Sequence, residues 1–180
     1  IENEIKNAKP KELTEEFVTE SKDAKLTFIC RPNSQTGNSF DKKIIERIIK
    51  ETSGLVFIDE AYAEFAPGDC LDFLKYNNVI IGRTFSKVYS VAGLRLGYLI
   101  ADKKIIEYLN KVRLPWNLNV LTQAIGEIIL RNENIFIEKI QEINKNKQKV
   151  LKELKNLKKL GNALDVLDSD ANFISLKVDK

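Results

Sequence analysis

The chain has 180 residues, 43% of them hydrophobic, which suits one domain with a real core or one domain plus part of another. Its 29 basic and 26 acidic residues leave a net charge of +3, too mild and too dispersed to indicate a nucleic-acid partner. There is no histidine, which excludes Ser-His-Asp triads, Cys-His pairs, HExxH zinc sites and histidine-based proton transfer; any proton shuttle falls to Lys, Asp, Glu, Tyr or Cys.

Residues 1–24 are charged and irregular, with Pro10 among them, and read as a linker or short surface helix. Residues 25–30 read as a buried strand through Leu26, Phe28 and Ile29, ended by a turn-rich loop over 32–38. Apolar residues at 44, 45, 48 and 49 give 40–51 a helical stripe. A short apolar strand over 55–58, a short helix over 69–76 and a strand over 79–81 follow, the last leading into a loop over 84–87. A further strand covers 96–101. The period then becomes helical: 103–112, which Pro115 terminates, then 119–130, then 133–160, which Gly161 caps. Residues 164–167 and 172–178 read as strands. Alternation of strands and helices up to about residue 101 argues for an α/β sheet. The long helix reads as a bridge to a second, smaller domain. The expected division is a linker or surface segment over 1–24, part of a large domain over 25–131, and a bridging helix with the start of a small C-terminal domain over 132–180.

No apolar run reaches the length of a membrane span and no signal peptide is visible. Cys30 and Cys70 lie far apart without metal-ligand spacing. Cys30 ends an apolar run and reads as a buried thiol, with no disulfide expected in a cytosolic protein. The chain also lacks methionine altogether and is read as a fragment of a longer protein.

The chemistry concentrates around Asp59 and Lys87. In open α/β sheets, ligands gather at the carboxyl ends of strands. Asp59 ends such a strand, where a carboxylate can pair with a protonated pyridine nitrogen or cap a helix. Tyr62, three residues on, can bond a ring hydroxyl or simply pack. Thr84 and Ser86 offer hydroxyls to an anion, and Arg95 a planar fork suited to phosphate. A lone Ser-Lys pair is ordinarily an exposed loop feature; Arg95 eight residues after Lys87, with Asp59 upstream, reverses that balance. A lysine that attacks an aldehyde needs a destabilised ammonium, from desolvation or a nearby cation, and Arg95 can be that cation. Neither G-x-x-x-x-G-K-[ST] nor G-x-G-x-x-G occurs, so this is not a nucleotide loop.

Four stretches together carry a family resemblance: Pro32-Asn33-x-x-Thr36-Gly37, Asp59-Glu60-Ala61-Tyr62, Arg83-Thr84-x-Ser86-Lys87 and Ala92-Gly93-Leu94-Arg95-x-Gly97-Tyr98. They resemble the histidinol-phosphate aminotransferases, enzymes of histidine biosynthesis that use pyridoxal 5'-phosphate (PLP) and belong to fold type I of the aspartate aminotransferase superfamily. The resemblance runs from about residue 25 to 119, and more weakly through Phe173. It implies an α/β fold: part of a mainly parallel-sheet PLP-binding large domain, leading by a long helix into a small α+β C-terminal domain. It implies PLP as cofactor, histidinol phosphate as amino donor with 2-oxoglutarate as acceptor, a homodimer and a cytoplasmic location, with no metal, nucleic acid or membrane.

By position, the resemblance makes Lys87 the lysine that binds PLP covalently and shuttles the proton. It pairs Asp59 with the pyridine nitrogen and Tyr62 with the ring hydroxyl. Thr84, Ser86 and Arg95 hold the phosphate, and Asn117 lies near the substrate. The family usually reads Pro-Asn-Asn-Pro-Thr-Gly, and its second asparagine binds the ring hydroxyl; here Ser34 takes that place, followed by Gln35. Threonine-phosphate decarboxylases and other class I and II aminotransferases share the lysine and arginine, and a non-catalytic relative is a further reading. Chains of the family are much longer and complete the site with parts not seen here, so the fragment alone is expected to have weak activity or none.

Overall fold

A computed structural model describes residues 12–159 and 164–178. The three apolar runs become parallel strands β1 (Leu26–Cys30), β2 (Leu55–Asp59) and β3 (Val79–Thr84), and β4 (Gly97–Ala101) joins β3 antiparallel, giving the order β1-β2-β3-β4. A parallel pairing would need a crossover, usually helical. No helix long enough for one lies between β3 and β4, only a loop with a three-residue 3₁₀ turn at Ala92–Leu94, and the chain doubles back.

Side chains alternate across the strands, so Ile29, Val56, Ile58, Val79 and Ile81 share one face and are buried there. Helix α2 (Lys42–Glu51) covers that face with Ile45, Ile48 and Ile49. Burying each such side chain contributes about 1.5–3 kcal/mol. The helix begins where Asp41 accepts the Lys43 N–H. Helix α1 (Glu15–Ser21), capped by Thr14, adds Val18, only 1% exposed, to the same core. The region read as linker or surface helix thus contributes a buried apolar face over its described part.

Beyond β4 come α3 (Lys103–Val112), α4 (Val120–Arg131) and the long α5 (Glu133–Lys159), followed by an antiparallel pair, β5 (Leu164–Val166) and β6 (Leu176–Val178). Asn119, read as helical, is the N-cap of α4, accepting the Thr122 N–H. Gly161 lies outside the described residues. The helix expected over 69–76 is a 3₁₀ helix over Leu71–Lys75. The strand expected over 172–178 shrinks to β6 because the preceding segment is held elsewhere. Asp170 donates its N–H to the Gly37 carbonyl at 2.7 Å and accepts the Ser39 N–H, and Ser175 donates to the Gln35 carbonyl. These contacts dock 170–175 onto the loop that follows β1. Among the described residues no helix is long and apolar enough to cross a membrane.

Both cysteines are free. Cys30 is half-buried rather than buried, and Cys70 is 0% exposed. Burial, and after it the Glu60 carboxylate, pushes the Cys70 thiol up to about 12. Only the thiolate is reactive, so at pH 8 a thiol reagent should reach Cys70 only on unfolding. Timed alkylation read by mass tests this: labelling of Cys70 in folded protein at the rate of denatured protein would contradict its burial.

Candidate active site

Asp59 ends β2 in register with Gly82 of β3, and Thr84 lies two residues further along β3. Alternation puts Asp59, Gly82 and Thr84 on one face of the sheet, opposite to α1 and α2, and sends Glu60 and Arg83 to the other. A cleft of ≈ 780 Å³ opens on the first face; Asp59, Thr84, Ser86, Lys87, Arg95 and Asn117 line it. Gly82 keeps its floor low: a Cβ there would come within 2.6 Å of the Phe57 ring and 3.4 Å of Leu99.

Each candidate side chain has a definite setting. Asp59 Oδ1 accepts the Ala61 N–H at 2.9 Å, a local turn bond with no helix to cap, and its second oxygen has no hydrogen-bond partner among the described residues. Lys87 is exposed, and its Nζ stands 5.1 Å from the centroid of the Tyr62 ring, a cation–π contact. Tyr62 is half-buried and packs edge-on against Phe173, with ring centroids 5.4 Å apart. Thr84 closes the neck of the loop over 85–96: its hydroxyl donates weakly to the Leu96 carbonyl at 3.4 Å and accepts the Ser86 N–H, while Phe85 donates its N–H to the same carbonyl. Ser86 has no side-chain bond among the described residues.

Arg95 leaves the 3₁₀ turn at φ 52°, and its guanidinium donates only to the Ala92 carbonyl at 2.9 Å. Arg47, Arg83 and Arg131 are paired with carboxylates; Arg95 has no such partner among the described residues. Of the two glycines in this stretch, Gly97 sits against tight backbone: a Cβ there would meet the Arg83 carbonyl oxygen at 2.9 Å. Gly93 faces open space.

Ser34 is not brought into the cleft. Asn33 Oδ1 accepts the N–H groups of Gln35 and Thr36, and Gly37 takes φ 78°, so the turn leaves Ser34 exposed. Cys30 neighbours Asp59 in register, and burial, then the Asp59 charge, raises its thiol above the ordinary range. Asn117 lines the cleft from the exposed segment after α3, accepting a 3.5 Å bond from Arg113.

The sequence reading passed over Glu60 and Arg83. Glu60 is 0% exposed and accepts both Nε and Nη2 of Arg83, at 2.9 and 2.7 Å. Burial works against the Arg83 charge, but Glu60 and then Asp69 outweigh it and raise its pKa. The available signal was the adjacency of two acids at a strand end: only one of Asp59 and Glu60 can face the cleft, and a buried carboxylate needs a cation.

Among the described residues the donor set is one amine, two guanidiniums free of carboxylates (Arg95 and Arg113), one half-free carboxylate and two hydroxyls, around a floor without a side chain. That chemistry fits an aromatic aldehyde carrying a phosphate: amine for aldehyde, carboxylate for ring nitrogen, guanidinium and hydroxyls for phosphate.

A family model described as "Aminotransferase class I and II" matches residues 1–178. The histidinol-phosphate aminotransferase of Rippkaea orientalis is 39% identical over 153 residues, covering 84% of this chain and 42% of that protein. Among solved structures, the histidinol-phosphate aminotransferase of Clostridium acetobutylicum superposes with a TM-score of 0.80 at 26% identity, covering 92% of this chain and 51% of that one. The enzyme from Sinorhizobium meliloti, solved in complex with pyridoxal-5'-phosphate, gives a TM-score of 0.76 at 25% identity, covering 87% and 43%. The chain therefore spans less than half the length of the curated relatives it matches.

Proposed function

The chain belongs to the class I and II aminotransferases, and we propose that it carries the cofactor-binding half of a PLP-dependent enzyme that transfers the amino group of histidinol phosphate to 2-oxoglutarate in histidine biosynthesis. The observation that carries this reading is the convergence of Lys87, Asp59 and Arg95 on one cleft at the carboxyl ends of parallel strands. The names of the curated relatives support the substrate. We take the protein to be cytoplasmic and to act as a homodimer, with residues 25–131 in the PLP-binding domain and 132–180 leading into a smaller one.

PLP, when bound, supplies an electron sink that weakens the bond between the substrate's Cα and its hydrogen. The residues here supply the rest. Lys87 would hold the cofactor through its aldehyde, and its amine, once free, would serve as the base at the substrate's Cα. Asp59, with one oxygen uncommitted, would pair with the protonated ring nitrogen. Tyr62 bonds the ring hydroxyl and, through its ring face, keeps the Lys87 amine near. Arg95, Ser86 and Thr84 anchor the phosphate, Arg95 with the largest share because it has no competing carboxylate. Asn117 stands on the substrate side. Ser34 stands where the family's ring-hydroxyl asparagine would, on a turn that leaves its side chain exposed.

Borohydride reduction of the full protein with PLP, followed by mapping of the adduct by mass, tests the reading. A single adduct on Lys87 is expected. Histidinol phosphate with 2-oxoglutarate should then turn over; release of carbon dioxide from threonine phosphate instead would reassign the chain to the decarboxylases. Absence of any adduct would move it to the non-catalytic relatives.

A further inference from the structure

We propose that the buried Glu60–Arg83 pair is the positioning element of this site, locking together the strand ends that carry Asp59 and Thr84 so that both address one ligand. The inference rests on the reading of the cleft as a PLP site.

Glu60 follows Asp59 directly, and Arg83 directly precedes Thr84. Their side chains meet on the far side of the sheet from the cleft. Glu60 Oε2 takes two N–H bonds from one guanidinium, a geometry that fixes angle as well as distance. Glu60 Oε1 accepts the Cys70 N–H at 2.5 Å, and the Glu60 N–H itself bonds the Gly82 carbonyl at 2.9 Å. Arg83 reaches on to Asp69 at 3.0 Å. One ion pair thus ties β2, β3 and the loop over 61–70 at the level of the cleft.

Stability alone is a poor account of this arrangement, because burying two charges consumes most of what their attraction returns, and an apolar pair of similar volume would hold the core as well. The forked contact adds a fixed orientation of the two strand ends. The cleft side has little to fix it. Asp59 has one local bond, and Lys87 and Arg95 are exposed. Because neighbouring residues of a strand share a backbone, a rotation at Glu60 or Arg83 swings Asp59 or Thr84 with it. Asp69 is a rim partner, 40% exposed, and serves as the internal control.

The test is PLP titration of the full protein and of Glu60→Gln, Arg83→Lys and Asp69→Asn, with the yield of reduced adduct on Lys87, the pH midpoint of the bound cofactor's absorbance and the thermal midpoint without PLP. Outer-layer partners of a ligand site typically matter by about 10–100-fold, and Glu60→Gln should weaken PLP by that much and move the absorbance midpoint. Asp69→Asn should stay within about 3-fold, as a rim ion pair does. A Glu60→Gln protein that melts earlier yet binds PLP as wild type with the same absorbance midpoint would make the pair merely structural and overturn the proposal. If Glu60→Gln does not fold, Arg83→Lys decides the matter, since it keeps the charge and loses the fork: weaker PLP supports the proposal, unchanged PLP overturns it. A wild-type protein with no adduct on Lys87 removes the PLP reading itself, and this inference with it.

Discussion

Lys87→Ala should abolish turnover in the full protein while leaving its fold intact. A positioned proton-transfer group alone contributes about 10²–10⁴-fold. Lys87 is assigned that role and the covalent hold on the cofactor as well, so the loss should lie at or beyond the upper end of this range. The fold should not notice. Lys87 is exposed, and its one recorded contact is the face of the Tyr62 ring; a surface change of this kind usually shifts stability by no more than about 0.5 kcal/mol. The decisive comparison sets steady-state rates beside thermal melts of the two proteins. A variant that keeps full activity would end the assignment. A variant that is inactive because it has unfolded would show a lowered melt, and the exposed position of Lys87 argues against it.

Phe73→Ala should produce the largest loss of stability among single side-chain truncations near the site, about 3–5 kcal/mol. Phe73 is 2% exposed and belongs to the apolar core beneath the sheet, with the Lys42 amine 5.1 Å from its ring centroid. It sits in the 3₁₀ helix that follows Cys70, so its ring anchors the loop whose backbone supplies an N–H to Glu60. Domains of this kind are stable by only about 5–15 kcal/mol, so this single change removes a large fraction. Urea unfolding should show a lower midpoint with an unchanged slope. A shift below about 1 kcal/mol would mean that the cavity collapses without penalty, contrary to close packing around the ring.

Much of this architecture is visible in the residues themselves, and the exceptions share a cause. The strands through Val56 and Ile80 stand out because a strand buried in a parallel sheet is a continuous apolar run, and α2 because its isoleucines recur at helical spacing; the strand read as buried through Leu26, Phe28 and Ile29 is buried on one face only, with Phe28 63% exposed. The direction of β4 is different. It depends on the length and turn content of what precedes it, and the Leu96–Tyr98 pattern looks the same either way. The shortening of β6 follows from Asp170 and Ser175 bonding a loop more than a hundred residues earlier, a contact no local pattern encodes. Lys87 and Arg95 are legible as a pair because they share one loop. Glu60 and Arg83 are not, since their meeting depends on strand register. Ser34 shows the opposite limit: its place in a motif is clear, yet Asn33 and Gly37 set the turn that leaves it outside the cleft.

The pairing of Thr84 with Gly97, and the bonds that Leu96 takes from Thr84 and Phe85, join the two ends of the stretch over 85–96. Separation along the chain and separation in space are thereby uncoupled. Loop closure itself costs entropy only as the logarithm of length, but Val88 is buried and Tyr89 packs against Phe85 and Phe136, so exchange is tolerated only where a side chain neither packs nor binds. Ser90, exposed and already at φ 56°, is where such change is best absorbed. The distance along the chain from Lys87 to Arg95 should therefore be held, and a library confined to Ser90 could retune the grip on an anion without touching the sheet.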